Sequence, residues 1–353
     1  MFKIYSDITP ELEQQWRELE KNSNFFPFQK LEWIKSYIKN MKLKNDKYLY
    51  YCVFEDNSLM AIFPLSIIKI SVVKVLCFIG FKFADYCYPI INKKYDIKKI
   101  NTKHIFENIY KEFKFDNVII KNQKELFFNK KNIFFDNENY KDRYKEDLSY
   151  KININSTWED YLDIRKKKII KKLDKSIKRR LGENFEFKIN SFDLTNIEKI
   201  KIVNFLITKK RDQLNRTKIF HYLNNSKYEN FLKEIFINNN DNFVSYSYIK
   251  SNNSLIAVHI GFLHSNNFYY LFPVYDYQFK QVAAGKFVIS KLIRNSFENG
   301  YSSFDFTTGG EVYKQDWSND KTILYSFIKN YSLLGRIFKL TYLFYKFLIK
   351  KLD

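Results

Sequence analysis

The sequence predicts an α/β protein that contains two similar domains. Its 353 residues are enough for two hydrophobic cores of ordinary size. A hydrophobic content of 45% with 19% aromatic residues excludes a disordered chain. Strand and helix patterns alternate along both halves, and one hairpin pattern occurs twice.

The repeated pattern is YYCVFEDNSLMAIFPL at residues 50–65 and YSYIKSNNSLIAVHIG at residues 246–261, an offset of 196 residues. Each copy reads as a strand, a turn that ends in Asn-Ser, and then Leu-x-Ala within an apolar strand. The elements around both copies follow the same order, which indicates a duplicated α/β domain. We therefore predict domains at 1–147 and 148–330, followed by a basic amphipathic helix at 331–353.

The formal net charge of +21 suggests nucleic acid or an anionic membrane as a partner. Only nine of the 60 basic residues are arginine, and lysine and asparagine are abundant, so an AT-rich codon bias explains part of this charge. Three cysteines without metal-ligand spacing predict buried thiols in a reducing compartment and no metal site. We find neither a secretory leader pattern nor a long apolar run, so we expect a cytoplasmic protein.

The first half opens with a predicted strand over Phe2–Tyr5 and a helix over Pro10–Lys21, for which Thr9 is the expected N-cap. Residues 121–147 are polar and weakly patterned, which is typical of a domain boundary. The other elements predicted here are a helix over 30–40, strands over 48–55, 59–70, 74–78 and 85–91, a helix over 104–113 and a strand over 117–120.

A strongly basic helix opens the second half. We predict it over Trp158–Leu181, with Thr157 as its cap and Gly182 as its stop. Its segment 165–181 carries ten basic residues and one acidic residue above an apolar stripe. Three interpretations stay open: a solvated surface helix, a helix that faces phosphate, and a nucleic-acid-binding helix.

The remaining predicted elements are a strand over 185–189, helices over 196–213 and 226–238, strands over 244–250, 255–263 and 268–274, a helix over 286–299 and a strand over 303–306. In the tail, basic and apolar residues fall on different helical faces, which suits an interfacial helix or docking onto the protein's own core. The basic set is Arg336, Lys339, Lys346 and Lys350, and the other set is Leu334, Ile337, Phe338, Thr341, Tyr345 and Leu348.

The stretch Asn253–Trp317 carries the candidate site. Pro273 interrupts an aromatic strand and cannot donate to a ladder, so the sheet is expected to part there, unless this is an edge strand. An extended ligand could then bond to the exposed backbone. QVAAGK at 281–286 places small residues and a cation at a helix start, where amide groups can approach a phosphate.

The following run, FDFTTGGEVYKQDW, brings an acid, a phenol, an amine and an indole together after a Gly-Gly turn. These are groups that orient and deprotonate a nucleophile, although the run could also be a solvated polar loop. The residues concerned are Asp305, Glu311, Tyr313, Lys314, Asp316 and Trp317.

The segment from Ala257 to Trp317 resembles the C-terminal half of the CelD/BcsL-type acetyltransferases of the GNAT fold. The shared features are a strand with x-His-x-Gly-Phe, a Tyr-Tyr-rich strand, Tyr-Asp, Gly-Lys at a helix start, Phe-Asp-Phe, a Gly-acid step and Tyr-Lys-x-x-Trp. In the first half, PFQKLEW (27–33), FPLSI (63–67) and DYCYPII (85–91) are also similar to the family pattern. The resemblance covers about residues 10–330.

This resemblance implies two tandem GNAT-like domains, each a mixed, mostly antiparallel sheet flanked by helices. It also implies acetyl-CoA or another acyl-CoA as donor and an amine acceptor, such as an amino-sugar in cell-surface polysaccharide biosynthesis. Thr307-Thr308 and Gly310-Glu311 depart from the basic and acidic residues that are more usual at this step. That departure bears on the contacts to the acceptor.

The implied site divides into catalytic, donor and acceptor residues. A backbone amide near Val274 is expected to polarise the thioester carbonyl. The implied catalytic residues are Asp305, Glu311, Tyr313 and His259, with Glu311 or Asp305 as base, His259 assisting the base through water, and Tyr313 as acid. Acyl-CoA is expected at Phe272, Val274, Gln281, Ala284, Gly285 and Lys286. The acceptor is expected at Phe28, Gln29, Trp33, Asp85, Tyr86, Lys314 and Trp317.

Three other functions stay open. A Fem-type transferase would use the same double fold with aminoacyl-tRNA held by the basic helix. The hypothesis of a nucleic-acid-binding protein without catalysis is supported by the net charge alone. For the acyl-CoA enzyme, nucleic acid is not an expected partner. A non-catalytic, membrane-associated scaffold could retain the fold. For the enzyme, peripheral contact with the inner face of the membrane is assigned to residues 331–353.

Overall fold

The computed structural model describes residues 1–135, 143–164, 167–182, 185–218, 222–238 and 243–352. The chain forms two compact units. The first unit comprises Met1–Ile38, Lys42–Leu148 and Thr322–Asp353, and the second comprises Lys39–Met41 and Ser149–Lys321.

The strands are β1 (Phe2–Tyr5), β2 (Ser23–Asn24), β3 (Lys47–Glu55), β4 (Ser58–Ile70), β5 (Val73–Phe78), β6 (Ile90–Asn92), β7 (Asn117–Gln123), β8 (Leu126–Phe127), β9 (Lys130–Lys131), β10 (Arg143–Asn153), β11 (Glu186–Ser191), β12 (Val244–Ser251), β13 (Ser254–His264), β14 (Asn267–Tyr275), β15 (Ser303–Thr308) and β16 (Asp320–Asn330). The helices are α1 (Pro10–Lys21), α2 (Leu31–Met41), α3 (Thr102–Glu112), α4 (Trp158–Ile164), α5 (Lys167–Leu181), α6 (Asn196–Arg216), α7 (Ser226–Ile237), α8 (Ala284–Glu298), α9 (Val312–Trp317) and α10 (Leu333–Leu352).

In the first unit, the main strands follow the order β1-β3-β4-β5-β7-β16. The pairs are antiparallel except for β5 and β7, which run parallel through Val75–Asn117 and Leu76–Val118. The short strand β6 pairs with β2 and β4. The sheet is therefore mixed and mostly antiparallel, as predicted.

The second unit repeats this arrangement strand for strand, in the order β11-β12-β13-β14-β15-β10. The β14–β15 pair is again parallel, and the other pairs are antiparallel. The hairpin β3–β4 corresponds to β12–β13, with Ser58 and Ser254 opening the second strand of each. The predicted duplication is confirmed, because the match extends from one hairpin to the whole sheet.

The two sheets take their closing strands from different parts of the chain. The second unit ends its sheet with Ser149–Asn153 of β10, at the start of its segment Ser149–Lys321. The first unit ends its sheet with β16, from the end of the chain. The domain boundaries at 147 and 330 remain a prediction, whereas the compact units divide after Leu148 and after Lys321.

Most of the predicted elements are present with ends shifted by a few residues. Thr9 caps α1 by accepting a hydrogen bond from the Leu12 amide at 3.2 Å. Gly182, with φ of +75°, follows the end of α5. The predicted helix over Trp158–Leu181 consists of α4 and α5, and residues 165–166 lie outside the described residues.

Two segments of the first unit differ from the prediction. Residues 85–91 are mostly irregular, and only Ile90 and Ile91 join a strand, because Tyr86–Tyr88 pack into the core without a ladder. Residues 121–135 are not a solvated boundary: Phe127 and Phe134 are buried against the core, where Phe134 meets Phe106 and Phe78. Residues 136–142 of the predicted boundary lie outside the described residues, and residues 143–147 form the start of β10.

Candidate functional site

Strands β14 and β15 part in the middle of the second unit's sheet. They pair in parallel at Asn267–Ser303, Phe268–Phe304 and Tyr269–Asp305. Both strands continue past this point, β14 to Tyr275 and β15 to Thr308, without further register pairs within these described segments. The gap that Pro273 predicts is therefore present, and β14 is a central strand rather than an edge strand.

The ladder between β13 and β14 shows which backbone groups face this gap. The Asp276 amide donates to Ile256 O at 2.8 Å, so hydrogen-bonded pairs fall at Asp276 and, two residues earlier, at Val274. Pro273 lies opposite His259 at a position where no ladder bond is lost. The intervening amide, that of Tyr275, is directed away from β13 and towards the gap. The Val274 amide is engaged with β13, so among the amides near Val274 it is that of Tyr275 that can face the gap.

The helix that follows β14 begins without a side-chain cap. Ala283, the N-cap residue of α8, adopts the left-handed conformation with φ of +57°, and its methyl side chain makes no cap hydrogen bond. The equivalent helix of the first unit, α3, is capped by Asn101, which accepts from the His104 amide at 3.0 Å. A methyl group on Gly285 would meet only Tyr275, at 3.8 Å, so this turn has room for a ligand. Such a start suits a phosphate group.

An ion pair holds the segment between β14 and α8. Lys209 of α6 lies 2.7 Å from Asp276, which also accepts from the Gln278 amide at 3.1 Å. Burial acts to raise the pKa of Asp276, but Lys209 and the amide outweigh it and lower the pKa. Of the other predicted donor residues, Gln281 and Lys286 are exposed and Phe272 is half-buried, while Ala284 is buried. They flank the gap and the uncapped helix start.

His259 is a core residue. It is fully buried and stacks on Tyr270 at 4.3 Å between ring centroids. Neither ring nitrogen has a hydrogen-bond partner in the described part of the chain, and burial lowers its pKa to about 3. A neutral histidine without contact to solvent does not fit the predicted role of a base acting through water.

At the end of β15, Glu311 and Lys314 form an ion pair. Lys314 Nζ lies 2.8 Å from Glu311 Oε2 and donates to Thr308 O at 2.5 Å. The two side chains differ in access, with 5% of Lys314 and 55% of Glu311 exposed. Gly309 has φ of +115°, and a side chain there would collide with Glu311 and Lys314. This glycine therefore keeps the ion pair in place.

Asp305 supports the same turn from inside the sheet. It is buried, and its Oδ1 accepts from the Thr307 amide at 2.7 Å. Thr307 adopts φ of +59°, a conformation that a β-branched residue rarely takes. Asp305 thus stabilises the end of β15, and its geometry fits a positioning residue better than a base.

Tyr313 and Trp317 lie on α9, a short helix where the sequence predicted a polar loop. Tyr313 is partly exposed, and burial and the Glu311 charge raise its pKa, so its phenol stays protonated. Trp317 is buried, and its carbonyl accepts from the Tyr161 hydroxyl at 2.5 Å. Tyr313 can therefore reach a ligand, whereas Trp317 anchors α9.

The sequence prediction missed Lys210. Burial lowers the pKa of its ammonium group, which interacts electrostatically with Glu311 and Lys314. Lys210 follows Val203, Leu206 and Ile207 at helical spacing, so it continues the buried stripe of α6. A lysine in phase with a core stripe is the signal that could have identified it.

The predicted acceptor residues of the first unit are largely core residues. Phe28, Gln29, Trp33 and Tyr86 are buried, and Gln29 Nε2 donates to Tyr86 O at 2.7 Å. Packing in the core is enough to explain why these residues occur here, without any contact to an acceptor. Asp85 is half-buried, and the structure leaves its predicted contact with the acceptor untested.

The basic helix α5 packs on α8 through an apolar stripe, in which Ile170, Leu173 and Ile177 are buried. Its exposed residues include Lys172, Lys175, Lys178, Arg179 and Arg180. Lys291 of α8 adds an ion pair with Asp174 at 2.9 Å. The cationic side of α5 is therefore free of the core, which keeps all three interpretations of this helix open.

Residues 165–315 match the family model described as an acetyltransferase (GNAT) domain. This segment is similar to GNAT-fold acetyltransferase domains. The match contains the gap, the uncapped α8 and the Glu311–Lys314 pair. The prediction of an acyltransferase enzyme of the GNAT superfamily is confirmed, while the finer resemblance to the CelD/BcsL type remains a prediction.

Solved structures show the same fold over nearly the whole chain. FemX is 10% identical, with a TM-score of 0.60, and the match covers 93% of this chain and 98% of FemX. L-PGS from Bacillus licheniformis is 12% identical, with a TM-score of 0.54 and coverages of 97% and 98%. A conserved protein of unknown function from Bacteroides thetaiotaomicron VPI-5482 is 9% identical, with a TM-score of 0.54 and coverages of 94% and 100%. A search of curated proteins found no match.

Within the described residues, no group of three or more His, Cys, Asp or Glu side chains could hold a metal ion. The three cysteines are buried free thiols, and burial raises the pKa of each. The candidate site consists of the backbone of the gap, the start of α8 and the charged cluster after β15.

Proposed function

We propose that the chain is an acyl-CoA-dependent N-acyltransferase, and that its donor, acetyl-CoA or another acyl-CoA, binds in the second unit. The observation that carries this proposal is the β14–β15 gap beside an uncapped helix start. The corresponding helix start of the first unit is closed by Asn101, so we assign the donor to the second unit alone.

The gap suits an extended chain with amide groups, such as pantetheine, because β14 offers it unpaired backbone groups. The first amides of α8, with Gly285 and Lys286, would hold the pyrophosphate through hydrogen bonds and the positive end of the helix dipole. The Tyr275 amide, directed into the gap, would bond to the thioester oxygen and stabilise the negative charge that develops there.

The acceptor side begins at the end of β15. Glu311 is the accessible carboxylate, and its ion pair with Lys314 fixes its position. We propose that Glu311 accepts the proton of the attacking amine and that Tyr313 donates a proton to the leaving thiolate. The acceptor nitrogen then bonds to the acyl carbon as the carbon–sulfur bond breaks. Asp305 holds the turn, and Lys210 and Lys314 give the acceptor side a positive charge.

We propose an amino-sugar or a related amine as acceptor, in cell-surface polysaccharide biosynthesis. This part rests on the resemblance of residues 257–317 to the CelD/BcsL type. We place the enzyme in the cytoplasm, with residues 331–353 as its contact with the inner face of the membrane.

The decisive experiment is to measure binding of acetyl-CoA by calorimetry, followed by acetyl transfer to a panel of amino-sugars. We expect saturable binding and N-acetylation of at least one acceptor. CoA without an acyl group is the matched control for the donor site. Absence of acetyl-CoA and CoA binding by the folded chain would contradict the proposal.

A second candidate is a Fem-type transferase that takes aminoacyl-tRNA. The exposed basic residues of α5 favour it, since a cationic helix face can hold RNA phosphates. Binding of tRNA with steep salt dependence, together with no binding of acyl-CoA, would select this function. Failure of tRNA to bind the protein would exclude the Fem-type function.

A further inference from the structure

The C-terminal helix α10 exposes a continuous apolar stripe. Its exposed hydrophobic residues recur every three or four positions, and Ile337, Leu340 and Phe344 are 54%, 67% and 63% exposed. Seven of the eighteen large hydrophobic residues found exposed in the described chain lie on this helix. Such clustering differs from the isolated apolar residues of an ordinary surface. We name Leu333, Ile337, Leu340, Phe344 and Leu348 the α10 stripe.

The opposite side of α10 is fixed to the first unit. Phe338, Tyr342 and Leu343 pack against a buried cluster of that unit's core. Lys346 Nζ lies 2.6 Å from Glu146 Oε1, whose carboxylate is almost fully buried. The cluster consists of Val73, Val75, Cys77, Phe81, Ile119 and Ile328.

The start of α10 is also held closely. Asn117 Nδ2 donates to Gly335 O at 3.0 Å, and a side chain at Gly335 would collide with Asp116 O. Ser332 Oγ donates to Asp116 Oδ1 at 2.6 Å. The helix therefore cannot roll to bury the α10 stripe without breaking these contacts. Of the predicted apolar set, Phe338 packs on the core, whereas Leu334, Ile337, Tyr345 and Leu348 are exposed.

Charge selects the partner of this stripe. Between Leu333 and Leu352 the chain has five basic residues and no acidic residue. Arg336 is exposed next to the stripe. Two copies of such a helix would repel each other, whereas an anionic lipid surface attracts the cations and accepts the apolar side chains.

We propose that α10 lies flat in the headgroup region of an anionic membrane and holds the protein there through the α10 stripe. A helix of 20 residues is about 30 Å long at 1.5 Å per residue, which gives a line of contact along the surface. Tyr345, at the edge of the stripe, suits the headgroup level. No helix of the described residues is long and apolar enough to span a membrane.

The test is co-sedimentation of the full chain with vesicles of phosphatidylcholine alone or with about 30 mol% phosphatidylglycerol. We expect binding to the anionic vesicles that weakens in high salt. The triple variant Ile337→Ser, Leu340→Ser, Phe344→Ser should lower the partition coefficient at least about tenfold. The matched control replaces three equally exposed residues elsewhere, Leu43→Ser, Leu126→Ser and Ile197→Ser, and should bind as the wild type does.

Thermal melting of each variant shows whether it folds, and Arg336→Glu tests the charge without altering the stripe. We expect Arg336→Glu to weaken binding to anionic vesicles and to leave the melting temperature unchanged. Equal binding by the stripe variant and the control variant would overturn the proposal, as would failure of the wild type to bind anionic vesicles. A dimer that dissociates in the stripe variant, seen by light scattering, would show that the stripe joins two copies and would also overturn it.

Discussion

At the scale of single residues, Glu311 and Asp305 are two acids with different environments. Glu311 is accessible and paired with Lys314, whereas Asp305 is buried and bonded to the Thr307 amide. A base must reach the acceptor, so the accessible acid is the better candidate. The buried Asp305 stabilises the strained turn that precedes Glu311.

The substitution Glu311→Gln is therefore expected to lower kcat about 10²- to 10⁴-fold, the usual contribution of a general base. The melting temperature should stay close to that of the wild type, since this side chain is more than half exposed. Asp305→Asn is the comparison and should lower stability more than Glu311→Gln does. Steady-state kinetics and thermal melting distinguish the two effects, and full turnover by Glu311→Gln would exclude it as the base.

Glu20 of α1 links stability to pH. Burial is the main cause that raises its pKa to about 7, and nearby Lys30 and the Leu31 amide only partly offset it. The folded state therefore holds a proton that the unfolded state loses near pH 4.5. The contribution of Glu20 to stability is therefore full below that pH and falls as the pH rises to about 7, by on the order of 3 kcal/mol.

The variant Glu20→Gln tests this linkage, because the amide can still accept from the Leu31 N–H without a charge. We expect it to be more stable than the wild type at pH 8 and to show a flatter dependence of the unfolding free energy between pH 5 and 7. Urea denaturation at several pH values measures both. A wild-type slope of the opposite sign in this window would contradict the assignment to Glu20.

The residue scale is also where sequence prediction was least complete. Local chemistry identified Thr9 as a cap and Gly182 as a helix stop, because both act within a few positions of the chain. It could not show that His259 is fully buried or that Lys210 interacts with Glu311, since both depend on distant strands and helices. The type of side chain alone did not distinguish core residues from residues of the candidate site.

At the scale of elements, the start of α8 can be tested separately from helix stability. An acidic residue in the first turn interacts favourably with the helix dipole and stabilises the helix by about 0.3–1 kcal/mol, but it repels a bound phosphate. Gly285→Asp should therefore keep or raise the melting temperature and weaken acetyl-CoA binding at least about tenfold.

Gly285→Ala is the matched control, because its methyl group would meet only Tyr275 at an ordinary distance. It should bind acetyl-CoA nearly as well as the wild type does. Calorimetry gives the affinity and thermal melting gives the stability of each variant. Unchanged affinity in Gly285→Asp would place the donor phosphates elsewhere.

Elements with strong local patterns were predicted well, and those without them were missed. The hairpins β3–β4 and β12–β13 have clear turns, and their strands were found within one residue at each end. Strands β10 and β16 were not predicted, although Tyr150 and Ile152 of β10 alternate as a buried strand face should. Their partners lie far away in the sequence, so only the fold shows where they pair.

At the scale of the whole molecule, the two units differ in where their closing strands come from. The closing strand of the second unit, β10, lies at the start of that unit's own segment Ser149–Lys321, whereas the closing strand of the first unit, β16, comes from beyond that segment. A cut between the predicted domains would therefore remove part of a sheet. The protein is a tandem repeat in pattern but not a simple series of independent segments.

Truncation after Lys321 tests the role of β16, because it removes most of β16 and all of α10 from the first unit. The loss uncovers the edge of β7 and removes Ile328 from the core cluster that includes Val75 and Ile119. We expect a large fall in melting temperature and a tendency to aggregate through the open edge. Truncation after Asn330 is the control, since it keeps β16 and should cost less stability. A chain ending at Lys321 that melts like the full chain would contradict the role of β16.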